Sequence, residues 1–182
     1  MDGTLAPKPG ETPRSAHVPV DQQRLHYAQH PPTCLGVLRC VPTQVPGFRF
    51  DGHGEPVNAV FAVRCPCGGA DFDVFGYYDD RGESSPEIVL VCDQCEAEHK
   101  VFDAACHGFD GALNPRRRPL PIGDAHDLWS GGVIVRFEFF ADLLGRDRHR
   151  GREHELFSWI TIVGTTEDPR ASPRFLFEWE CA

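Results

Sequence analysis

No stretch of this chain approaches the run of about 18 apolar residues that a helix needs to cross a bilayer, so no membrane span is expected. Basic side chains are scarce: 18 Lys and Arg stand against 27 Asp and Glu, for a formal net charge of −9. That balance disfavours general nucleic-acid binding, whose affinity comes largely from cations that neutralise phosphates. The segment Met1 to Pro9 lacks a basic start followed by an apolar run, which argues against a secretory signal and for a reducing, cytoplasmic setting. Eight cysteines in such a setting point to metal more readily than to disulfides. The chain shows no internal repeat beyond its paired cysteine clusters.

What is present is enough for a folded core: 41% apolar residues, 13 of them Phe, in a chain of 182. Residues 1–33 hold six of the 16 prolines with little periodic hydrophobicity, and they read as a flexible Pro-rich tail. Within it, Asp21 to Gln29 suits a short helix capped by Asp21. From Leu35 onward the pattern has period two, as in half-buried strands. Val57, Ala59, Phe61 and Val63 share one face of a strand that runs into Cys65. Phe72, Val74 and Gly76 alternate with Asp73, Phe75 and Tyr77, and Glu87 to Val91 leads into Cys92. Later come Val133, Val135, Phe137 and Phe139, then Phe157, Trp159, Thr161 and Val163, then Phe175, Phe177, Trp179 and Cys181. These runs predict an antiparallel meander over 133–181. Residues 106–131 are rich in Gly and Pro and read as a long irregular loop. The expected architecture is mainly β: one domain over 34–182, an antiparallel sheet with a small metal module inserted at 60–103.

The chemistry concentrates in Cys65-Pro66-Cys67-Gly68-Gly69 and Cys92-Asp93-Gln94-Cys95. Zinc takes four soft ligands at tetrahedral corners, and two short-spaced pairs on facing turns supply them. Gly68 and Gly69 permit the positive φ that turns backbone N–H groups toward thiolates, and Pro66 fixes φ and removes a competing donor. Strand-like runs on either side of residues 79–86 form a plausible hairpin that returns both pairs to one end. A reactive, redox-active Cys92–Cys95 pair is disfavoured by Asp93, Glu96 and Glu98 around it, because thiolates gather near positive charge. Four cysteines also hold a single iron ion, so the residues leave zinc and iron both open.

Over roughly residues 60–103 the pattern resembles the zinc-ribbon group of folds. The usual ribbon has two residues between the cysteines of each pair and a Gly after it. Here Pro66 alone separates the first pair, and Glu96 follows the second. The resemblance implies one structural zinc ion on Cys65, Cys67, Cys92 and Cys95. It implies no particular activity, because ribbons serve many functions.

Other candidates have bland readings beside them. Cys106 and His107 are adjacent and would have to meet in space to act as a nucleophile pair. Cys106 or His99 is a more plausible substitute metal ligand. His126 and Asp127, after Asp124, read as helix capping ahead of Leu128 and Trp129, and the nine histidines suggest no second metal site. Arg116, Arg117 and Arg118, and the series Arg146, Arg148, Arg150 and Arg152, read as solvated loops that would otherwise clasp phosphate or an acidic partner. Residues 71–98 carry nine acidic side chains and one basic, Arg81. An acidic ribbon suits docking to a basic protein surface. The leading expectation is therefore a non-enzymatic, zinc-stabilised protein that binds another protein. The alternatives are an enzyme using His107, Asp110, His126 or Asp127, and nucleic-acid binding through the arginine loops.

Overall fold

The structure is a computed structural model, and it describes residues 18–44, 57–77, 87–114, 125–141, 143–144, 146–166, 168 and 171–181. The expected hairpin turn at 79–86, the arginines at 116–118 and the first 17 residues lie outside these. The described elements are α1 (Val20–Gln29), β1 (Arg39–Pro42), β2 (Val57–Arg64), β3 (Asp71–Tyr77), β4 (Glu87–Cys92), β5 (Glu98–Asp103), α2 (Gly108–Leu113), β6 (Ala125–Phe139), β7 (Phe157–Thr165) and β8 (Arg174–Glu180). Single 3-10 turns occur at Thr33–Leu35, Asp147–His149 and Glu153–Glu155. The protein is mainly β, as its period-two runs predict. No described helix is long and apolar enough to cross a membrane.

β6, with 15 residues, organises the sheet. Its second half pairs with β2, from Ile134↔Ala62 to Phe139↔Val57, and its first half pairs with β3, from Ala125↔Tyr77 to Gly132↔Asp71. β7 pairs with Gly132 to Phe139 from the other side. β2 and β3 therefore lie end to end along one edge of β6, and the segment between them is the first cysteine turn. All strand pairs are antiparallel: β1 flanks β2, β4 and then β5 extend from β3, and β8 closes beyond β7. The sheet curls, so that Phe102 of β5 packs on Phe157 of β7 and Phe177 of β8, with ring centroids 6.4 and 5.6 Å apart. Phe61, Phe72, Leu90, Val135, Phe137, Ile160 and Ile162 fill the enclosed core, and each is fully buried.

Several expectations are corrected. The tail assigned to residues 1–33 includes folded chain: α1 at Val20–Gln29 and the turn at Thr33–Leu35. α1 docks through Tyr27, fully buried, whose ring stacks on Phe139 with centroids 3.7 Å apart. A ten-residue helix is too short to persist alone, and this contact supplies its stability. Its N-cap is Pro19, and Asp21 sits in the first turn, where a carboxylate favours the helix dipole. Residues 106–131 are not one loop: α2 occupies part of it, and β6 begins at Ala125 because the edge of β3 needs a partner. Trp129 lies over Gly164, where an added Cβ would come within 2.6 Å of its ring. In β7 the core face is Ile160 and Ile162, and Trp159, Thr161 and Val163 lie on the opposite face. That face is also buried at Thr161 and Val163, where Arg136 of β6 and Glu178 of β8 flank Thr161 in a polar cluster. Arg136, 1% exposed, donates to Asn58 Oδ1 at 3.0 Å and to the Glu138 carboxylate, and Thr161 donates to Glu178 at 3.2 Å. Arg136 stands between Val135 and Phe137, and its burial follows from acceptors at Asn58 on β2 and at Glu138, two residues along β6.

Candidate metal centre

The first turn leaves β2 at Arg64 and re-enters the sheet at Asp71. It is closed by Cys65 N–H donating to Gly69 O at 2.8 Å and Gly68 N–H to Cys65 O at 2.9 Å. Gly68 takes φ +105, a conformation few L-residues adopt. Gly69 has no positive φ; it is required for room, since a Cβ there would lie 2.8 Å from Cys92 Sγ. The second turn links β4 to β5, with Glu96 N–H donating to Cys92 O at 2.8 Å and Cys92 N–H to Ala97 O at 3.0 Å. Glu96 stands in the left-handed region at φ +58. The ribbon pattern places Gly at this point, and the glutamate adopts the same turn under strain.

β3 pairs directly with β4, with Phe72 opposite Cys92, and this brings the two turns together. The four sulfurs of Cys65, Cys67, Cys92 and Cys95 all lie within 4.8 Å of one another, with Cys65–Cys95 and Cys67–Cys92 each at 3.6 Å. Four thiolates about 2.3 Å from a tetrahedral zinc stand about 3.8 Å apart, so the donor set fits such an ion. The 3.6 Å contacts are far beyond disulfide length, and all eight cysteines are free. Among the described residues this is the group of three or more ligand-type side chains close enough to share an ion. The site is compatible with a zinc-ribbon-like centre.

Backbone N–H groups face the sulfurs: Gly69 toward Cys67 at 3.4 Å, Cys67 toward Cys65, and Ala97 toward Cys95. The Gly69 N–H is the chief influence holding the Cys67 thiol down at about 7, where it ionises readily. Cys65 and Cys92 are buried, and Cys67 and Cys95 are exposed. The set therefore has an inner and an outer half.

His99, on β5, comes within 3.4 Å of Cys65 Sγ through Nε2, and burial pushes its imidazole pKa down. Cys106 is elsewhere: its thiol donates to Asp103 Oδ2 at 3.7 Å, and desolvation together with the Asp103 charge pushes that thiol up, away from nucleophilic use. His107 turns away from it. Its Nδ1 accepts the Asp103 N–H at 2.9 Å, and burial lowers its pKa. His126 and Asp127 are exposed on β6, in strand and not at a helix cap. The register runs His126–Gly76–Ile88–Phe102, so β3 and β4 stand between His126 and the His107 ring packed near Phe102. His126 and Asp127 are thus set apart in the sheet from His107. In the second arginine series, Arg152 donates to Ala112 O at 3.0 Å.

His26, in the last turn of α1, and His30, its C-cap, are four apart, so the histidines do include a pair at helical spacing. Their rings stack at 4.5 Å, and His30 Nδ1 donates to the His26 carbonyl at 2.8 Å. Comparison with protein-family models, curated proteins and solved structures finds no match.

Proposed function

We propose that the chain is a non-enzymatic β protein, fastened by one structural zinc ion on Cys65, Cys67, Cys92 and Cys95, that acts in the cytoplasm by binding a protein with a basic surface. A zinc ion held by four cysteines has no open position for water or substrate, so it serves folding and not catalysis. Eight free thiols suit a reducing compartment.

The observation that carries the binding role is the crowding of carboxylates beside the sulfurs. Asp93 has its carboxyl pKa raised by desolvation and by the charges of Asp73 and Asp71. Asp71, Asp93, Glu96 and Glu98 are exposed around the same turns. Among the described residues from 71 to 103, Lys100 is the single Lys or Arg, and it is committed to Glu87 at 2.7 Å. Like charges held this close are relieved by an incoming cationic surface, which also steers the encounter.

The test compares wild type with Asp71→Asn/Asp93→Asn/Glu98→Gln in crosslinking from cells, with zinc content measured in parallel. A partner captured by the wild type and lost from a variant that still holds zinc supports the reading. A partner retained equally by the neutralised variant refutes it.

A further inference from the structure

His99 stands at the edge of the cysteine cluster rather than inside it. On β5 it faces Leu90 of β4, and Phe72 of β3 meets its ring edge-on, with centroids 6.4 Å apart at 79°. These contacts set the ring so that Nε2 lies 3.4 Å from Cys65 Sγ. The imidazole lies outside the group of Cys65, Cys67, Cys92 and Cys95, whose ligand atoms all stand within 4.8 Å of one another, so its nitrogen is not seated among the four sulfurs. The ring instead addresses one sulfur, the geometry of an N–H···S hydrogen bond. Cys65 is the ligand that gains most from such a donor. It is 1% exposed, so water cannot share the negative charge its sulfur keeps when bound to metal.

We propose that His99 donates its Nε2–H to the Cys65 sulfur and so tightens metal retention at that ligand, a positioning role that rests on the four-cysteine reading above. Outer-shell donors of this kind orient a ligand and tune its charge. The centre is then asymmetric. The buried Cys65, braced by His99, anchors the ion, while the exposed Cys67 and Cys95 are where chelators and electrophiles begin.

The experiment uses the full chain loaded with 113Cd and labelled with 15N on imidazole, alongside zinc competition against a chelator. Expected is a neutral His99 with its proton on Nε2 and a correlation from that proton to 113Cd through the sulfur. His99→Phe, which keeps a ring against Phe72, should lose about 10–100-fold in zinc affinity. His99→Gln offers an amide N–H to the same sulfur and should recover most of it. Unchanged affinity in His99→Phe overturns the proposal. So does a one-bond 113Cd–15N coupling, which would make His99 a ligand in place of a cysteine. Wild-type protein that takes up no metal overturns the four-cysteine reading and this proposal with it. The nuclear resonance measurement is made on wild type, so it decides the question even where a variant fails to fold.

Discussion

Cys67→Ser separates what the metal contributes from what packing contributes, because Cys67 is exposed and its sulfur fills no cavity. With a chelator present, wild type and variant should unfold at the same denaturant concentration within about 0.5 kcal/mol, the range of ordinary surface substitutions. With zinc present they should diverge. A ligand that binds only the folded state stabilises it by about 4 kcal/mol at a thousand times its dissociation constant. Three remaining sulfurs and a hydroxyl lower affinity, and a thousandfold loss removes about nine-tenths of that amount. The sheet decides where order is lost. β3 is hydrogen-bonded to β6 along Asp71 to Tyr77, so the metal module is not an appendage. The cysteine turns, β5 and β4 should lose hydrogen-exchange protection first, and β6, β7 and β8 last. Equal stabilisation of both proteins by zinc would refute the reasoning, as would a difference of several kcal/mol that persists in chelator.

Further tests address single elements. Tyr27→Ala should cost about 3–5 kcal/mol and expose α1 to protease, whereas Tyr27→Phe should be neutral or stabilising. The reason is that the Tyr27 hydroxyl is buried without a hydrogen-bond partner among the described residues. Glu96→Gly should stabilise the metal-loaded protein by up to about 1 kcal/mol, because it relieves the left-handed conformation, and Glu96→Val should destabilise it. His107 has a folded pKa below its unfolded value of 6.5, so its contribution is complete above that pH and is lost as pH falls below it. Urea titrations from pH 7 to 5 should show falling stability, with a shallower slope in His107→Phe.

The strands were legible where one face is apolar and the other wet: β2, β3 and β6 each show period two through Phe61, Phe72 and Phe137. The four cysteines were legible because ligand spacing is local. Illegible were features set by chain-distant partners. α1 is polar along most of its length, and the ring that Tyr27 stacks on, Phe139, is on a remote strand. β7 is covered on both faces, so its pattern could not say which side Ile160 occupies. Arg136 is buried because Asn58 meets it from β2 and Glu138 from two residues along β6 itself. His99 was visible as a spare donor, but its approach to Cys65 depends on the register of β4 with β5.

Metal content joined to zinc-edge X-ray absorption of the purified chain tests the central claim most directly. The account predicts one zinc per chain surrounded by four sulfurs at about 2.3 Å. A protein without metal, with Cys65, Cys67, Cys92 and Cys95 paired in disulfides under reducing conditions, would contradict it, as would a single iron ion in the zinc's place.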